Sequence, residues 1–191
     1  MRIHWAIRGL FFFGLIACLI LGAIARLNLP ATPIPDTDTE GYLFPAFDWL
    51  SGSGFVQHGR DWLYPAFITV VLKLSASLGV LVRIQQFLGL IAILITSLAF
   101  YLHLHWSRHR SPVVLITTAL LMLVPLYFVS LGTNELWIES AIRPEAVCTF
   151  VFSFLFLGIT LSSLAFSSVL NRKFFVVGES SHFVHPTRSF Y

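Results

Sequence analysis

The stretch Ala66-Phe-Ile-Thr-Val-Val-Leu-Lys-Leu-Ser-Ala-Ser-Leu-Gly79 decides how many times this chain crosses a membrane. Its apolar part falls short of the ~20 residues a spanning helix needs, and Lys73 stands in its middle. At helical spacing Thr69, Lys73, Ala76 and Ser77 share one face, opposite Phe67, Ile68, Val71, Leu74 and Leu78. That pattern predicts a helix lying flat in the interface with its polar side toward water.

The surrounding chain is built for lipid. Of 191 residues, 57% are hydrophobic and 11% charged, and the mean hydropathy is +0.82. A soluble domain carries about 25% charged residues, so the expected class is an all-α polytopic membrane protein. Four apolar runs qualify as spans: Gly9 to Ala25, Ile84 to Leu104, Pro112 to Leu131 and Ala146 to Leu170. The first has a rival reading as a signal peptide, because Ala23-Ile-Ala25 resembles a cleavage site; the membrane character of the rest favours a retained helix. Pro125 interrupts the third run, which neighbouring helices can accommodate. Residues 174–191 show no period and are assigned no structure. The net charge of +3 makes no case for nucleic acid. Cys18 and Cys148 lie inside apolar runs and read as packing residues, not as a disulfide or metal pair.

Charge then orients the chain. If residues 66–79 lie flat, Arg2, Arg8, Arg108, Arg110, Arg172 and Lys173 share the cytoplasmic side, and every acid except Glu179 falls outside. That is the positive-inside bias of short loops, with a cytoplasmic N-terminus. If 66–79 spans, Arg108 and Arg110 move outside and three glutamates move in. The flat reading therefore predicts a first outer loop at 28–83 and a second at 132–145, both on one face.

Those loops hold the chemistry. Asp36, Asp38 and Glu40 fall within five residues, and the second loop holds Glu135, Glu139, Arg143 and Glu145. Carboxylates at a lipid–water boundary can take a proton from an acceptor hydroxyl or amine. They can also hold a divalent cation that neutralises a phosphate leaving group. Arg143 suits bidentate phosphate recognition, and Lys73 and Arg83 would add positive charge at the same face. The plainer reading of these residues is a solvated loop, an Arg143–Glu139 pair one helical turn apart, and snorkelling Lys73 and Arg83 side chains. Gln85 and Gln86 either line a polar cavity or mark the helix start, and Trp49, Trp62, Tyr64 and Trp137 read as interfacial aromatics. His103, His105 and His109 fit the opposite interface better than a metal site, since positions 103 and 105 do not share a helical face.

The order of features resembles the GT-C superfamily of membrane glycosyltransferases, which includes protein O-mannosyltransferases and aminoarabinose transferases. The matching pieces are one span, Asp38-Thr-Glu-Gly-Tyr42, Gly54-Phe55, and Trp62-Leu-Tyr-Pro65 opening an interfacial helix. Arg83-Ile-Gln-Gln86 then starts the second span, a basic turn follows, and Arg143-Pro-Glu145 introduces the fourth span. The resemblance implies a polyprenyl-phosphate sugar as donor and Asp38, with Asp36 next, as the acceptor-activating carboxylate. It implies Glu145 or Glu139 as the helping acid and Arg143 near the donor phosphate. No metal follows from it. Since members of that superfamily usually continue through further spans, the resemblance implies that residues 1–173 are an N-terminal module, with another polypeptide that completes the fold as an expected partner. The alternatives from other classes are a non-catalytic binding or assembly subunit and, more weakly, a small transporter. Membrane lipid is an expected partner under each, and in a bacterium the plasma or inner membrane is the expected site.

Overall fold

A computed structural model describes the backbone of residues 2–54, 62–106 and 111–180. The sequence readings placed on Phe55, Arg108, His109 and Arg110 lie outside the described residues. Among the described residues seven helices follow in order: α1 (Arg2–Asn28), α2 (Thr39–Ser51), α3 (Leu63–Ser75), α4 (Leu78–Trp106), α5 (Pro112–Leu131), α6 (Thr133–Ser140) and α7 (Glu145–Ser180). Among the described residues there is no strand, only an isolated parallel bridge between Ile34 and Ala141. The chain is an all-α polytopic membrane protein, with four helical segments long and apolar enough to cross a bilayer.

α3 is the short helix expected between the first two spans. Its 13 residues reach about 20 Å at 1.5 Å per residue, against a hydrocarbon core of about 30 Å. Two features of the expected 66–79 helix are corrected. The helix stops at Ser75, because Ala76 turns into the left-handed region with φ 51°, and Leu78 already belongs to α4. Its inner face is also not the apolar set alone. Thr69 is buried, its hydroxyl donating back to the Pro65 carbonyl at 2.9 Å, whereas Leu74 stands 84% exposed. Packing on α2 and α4 has overridden the simple two-faced pattern. The region assigned no structure is corrected as well, since α7 continues through residues 174–180.

α4 is the central post. It packs against α1, α5 and α7. One apolar cluster joins Phe11, Leu15 and Cys18 of α1 to Ile93 and Leu104 of α4 and to Leu115 and Leu126 of α5. A second joins Tyr64, Ile68 and Leu72 of α3 to Ala46 of α2, Leu81 of α4 and Ile142 of the α6–α7 connection. Local sequence sets the helix ends. Ser111 caps α5 by accepting the Val114 N–H at 3.4 Å, with Pro112 in the first turn where its missing donor costs nothing. Gly52 closes α2 at φ 85°, a conformation that a side chain would disfavour.

A fully buried arginine fastens the bundle at the end where α1 stops. Arg26 is 1% exposed and meets Glu139 at 2.5 Å. Its other guanidinium nitrogen donates to the carbonyls of Gly22 (3.2 Å) and Ser130 (2.8 Å). Ser130 lies in the last turn of α5, where carbonyls have no helical partner and a cation is favoured. Arg26 thus ties α1, α5 and α6 together, and burial of the charge is offset by a counter-ion and these acceptors.

Candidate functional site: a carboxylate–arginine junction

The site begins with two prolines that hold Ile34 extended between them. The Ile34 N–H donates to the Ser140 carbonyl at 3.0 Å, and Ile34 runs alongside Ala141. This short pairing lays the segment after α1 against the segment after α6. Asp36 and Arg143 then each follow two residues beyond the bridged pair, and they meet.

Asp36 is held from both sides. Its Oδ1 accepts the Asp38 N–H at 2.6 Å, a turn that aspartate forms readily. Its Oδ2 accepts from Arg143 Nε. Its side chain is 6% exposed. Arg143 Nη2 lies 3.7 Å from Asp38 Oδ2, and Nη1 lies 3.5 Å from Glu145 Oε1. The guanidinium carbon sits 5.5 Å from the centre of the Trp137 ring, in reach of a cation–π contact. Carboxylates around Arg143 raise its pKa above the ordinary arginine value, the Asp36 hydrogen bond most of all. The guanidinium is therefore a permanent cation between three acids.

Behind Arg143, α4 fixes the backbone. Gln85 is fully buried, and its Nε2 donates to the carbonyls of Ala141 and Arg143, each at 3.1 Å. Gln86 Nε2 donates to Ser140 Oγ at 3.4 Å. Gln85 reaches the α6–α7 connection and Gln86 the last residue of α6, so neither amide is a bare helix-start marker.

Beside this junction, Tyr64 is 5% exposed, with its ring edge-on to Tyr42 at 5.1 Å. Burial pushes its hydroxyl above the usual phenol range. The negative Glu145 carboxylate and Tyr42 act in the same direction, and the Gln85 amide pulls back.

No protein-family model matches this chain, and no curated protein or solved structure matches it either. The site is read from its own geometry.

The structure brings Asp36, Asp38, Arg143 and Glu145 together and leaves three other candidates apart. Glu139, expected as a helping acid or as the partner of Arg143, is 5% exposed and paired with Arg26. Arg83, expected near a donor phosphate, donates to the Arg26 carbonyl at 3.3 Å and to Gln86 Oε1 at 2.9 Å. It caps α1, leaving the junction to Arg143. Lys73 is exposed on α3 and is not among the ion-pair partners that gather around Arg143. Among the described residues, no three His, Cys, Asp or Glu side chains are grouped to hold a metal ion. Arg143 stands between the acids instead. Sequence reading missed Arg26 as a functional part of the architecture and Trp137 as the platform under Arg143.

Proposed function

We propose that the chain is a glycosyltransferase-type membrane module. It would act at a non-cytoplasmic lipid–water boundary on a sugar carried by a polyprenyl phosphate. The observation that carries this reading is Arg143, which gathers acids from two loops a hundred residues apart around one cation.

Exposure divides the roles among the acids. Asp36 has both oxygens engaged and is 6% exposed, so it positions. Asp38 is 38% exposed and more loosely held at 3.7 Å, so it can reach an acceptor. In the proposed step the acceptor hydroxyl or amine loses its proton to Asp38 and attacks the anomeric carbon. The bond from that carbon to the phosphate oxygen breaks with inversion, and the phosphate leaves with the electron pair. Arg143 stabilises the charge that develops on it, exchanging part of its contact with Asp38 or Glu145 for the phosphate. Glu145, 46% exposed, borders the same space. Glu139, Arg83 and Lys73 have no part in this step. The orientation that serves it has a cytoplasmic N-terminus, as the positive-inside bias favours.

A second reading, a non-catalytic binding or assembly subunit, is favoured by one feature: Arg143 is already matched by three carboxylates and needs no substrate for balance. Proteoliposomes carrying the chain and a labelled polyprenyl-phosphate hexose separate the two. Transfer of label to water-soluble product that falls about a hundredfold or more in Asp38→Asn, with unchanged insertion, supports the enzyme. Undiminished turnover in that variant removes Asp38 from the mechanism. A wild-type chain without turnover favours the assembly subunit.

A further inference from the structure

α1 and α5 pack side by side, and a furrow runs between them. Gly14 faces Leu123 and Gly22 faces Ser130, so the two helices rise in the same direction. The furrow opens into a groove of about 500 Å³, within the range of small-molecule sites. Its walls include Gly14, Ala17 and Leu21 of α1 and Val124, Tyr127 and Phe128 of α5. Tyr127 and Phe128 also line a second hollow of about 460 Å³ that reaches Thr133 and Asn134. The two hollows meet at these rings, which stand edge to face at 5.8 Å. Polarity changes along this path. Ala17, Leu21, Val124 and Phe128 offer only hydrocarbon, whereas Thr133 and Asn134 are exposed and offer a hydroxyl and an amide. Tyr127 stands between them, one turn before α5 ends, at the level where tyrosine rings collect in membrane proteins.

Both walls belong to helices long and apolar enough to span, so the groove is filled from the bilayer. A partner helix is about 10–12 Å across. That is too wide to enter a seam so closed that a methyl group on Gly14 would lie 3.0 Å from the Leu123 side chain. A single hydrocarbon chain is narrow enough. Length then narrows the choice. From Leu123 to Leu131, the last residue of α5, the rise is about 12 Å at 1.5 Å per residue. The half-thickness of the hydrocarbon core is roughly 15 Å, so the groove matches the depth of one leaflet. We infer that the α1–α5 seam is a binding site for one acyl chain of a glycerophospholipid, with the headgroup over Thr133 and Asn134. A polyprenyl chain is much longer than one leaflet and would overrun it. Relative to free lipid, the bound lipid gains closer van der Waals contact with two walls and hydrogen bonds at the polar end. The inference goes beyond the transfer reading and does not rest on it.

Native mass spectrometry of the full chain, released from detergent with dipalmitoyl phosphatidylcholine added in steps, tests the site. The wild-type chain is expected to keep one lipid under activation that strips the others. Ala17→Phe fills the groove from an exposed position on α1, and Val124→Phe fills it from α5. Each should weaken binding of that first lipid about tenfold. Gly158→Phe adds bulk on α7, where a side chain meets nothing within 4 Å, and should leave the affinity unchanged. Dioctanoyl phosphatidylcholine, whose chains stop short of mid-bilayer, should bind the wild-type chain about tenfold more weakly. That comparison needs no variant. Absence of a retained lipid, equal affinity for the two chain lengths, unchanged affinity in both seam variants, or an equal loss in Gly158→Phe overturns the site. Preferential retention of polyprenyl phosphate over the dipalmitoyl lipid, or a two-chain species that Ala17→Phe dissociates, gives the seam to another occupant and overturns it as well. No sugar is transferred in these measurements, so failure here is distinct from failure of the transfer reading.

Discussion

Arg143 donates through Nε to the Asp36 carboxylate across 107 residues of sequence, and this contact turns two loops into one site. Neither partner is free to wander. Asp36 is pinned by the Asp38 N–H and Arg143 by Gln85 through its own carbonyl. The functional reading depends on this junction more than on any single acid.

Asp36 and Asp38 should therefore behave differently when neutralised. Asp36→Asn loosens the joint between the loops and is expected to lower the unfolding temperature by several degrees. Asp38→Asn, at a half-exposed position, is expected to leave it nearly unchanged. Differential scanning fluorimetry of the two purified variants checks the contrast, and equal shifts contradict the division between a positioning acid and a reactive one.

The buried pair of Arg26 and Glu139 predicts strong non-additivity. Removing one partner leaves an uncompensated charge, at a cost of about 3–5 kcal/mol. Arg26→Met and Glu139→Leu are each expected to destabilise by that order. The double variant should cost less than their sum. A double-mutant cycle by denaturant unfolding in detergent reads the coupling, and additive losses contradict the pairing.

Much of the fold was legible in the sequence, and the reasons are physical. Long apolar runs fix the four spans because lipid demands them. Lys73 and the shortness of the 66–79 stretch excluded a fifth. Charge bias then put the Asp36 and Arg143 loops on one face, which the Ile34–Ala141 bridge satisfies. Partner choice was less legible. Spacing suggested Arg143 with Glu139, but the turn at Ala141–Ile142 aims Arg143 toward Asp36 and leaves Glu139 facing Arg26. Arg26 looked like the end of a span, and nothing local shows that its guanidinium folds inward onto α5. The face of α3 also misled, because Thr69 satisfies its hydroxyl on its own helix and can be buried cheaply.

Gly89 tests how closely α6 lies on α4. A methyl group at this position would overlap the Glu139 carboxylate. Gly89→Ala gains helix propensity, yet it is expected to destabilise by pushing Glu139 off Arg26. The cost of Gly89→Ala should be smaller in a Glu139→Ala background than in the wild-type chain, which the unfolding temperatures of the four chains check. Gly89→Ala that stabilises contradicts the close approach.

Sidedness is checked by labelling single cysteines in a background lacking Cys18 and Cys148. Thr37→Cys, Asn134→Cys and Ser111→Cys are all at exposed positions. A membrane-impermeant maleimide applied to intact cells is expected to label the first two and spare the third. Labelling at Ser111→Cys with protection of the others would invert the proposed orientation.

The convergence of the two loops is most directly measured by cross-linking. In the same cysteine-free background, Asp36→Cys and Arg143→Cys are combined, a protease site is inserted before Ser111, and a short bifunctional thiol reagent is applied. Efficient cross-linking that keeps the two fragments together on a denaturing gel after cleavage is the predicted result. Fragments that separate as completely as those of either single-cysteine chain would contradict the shared site.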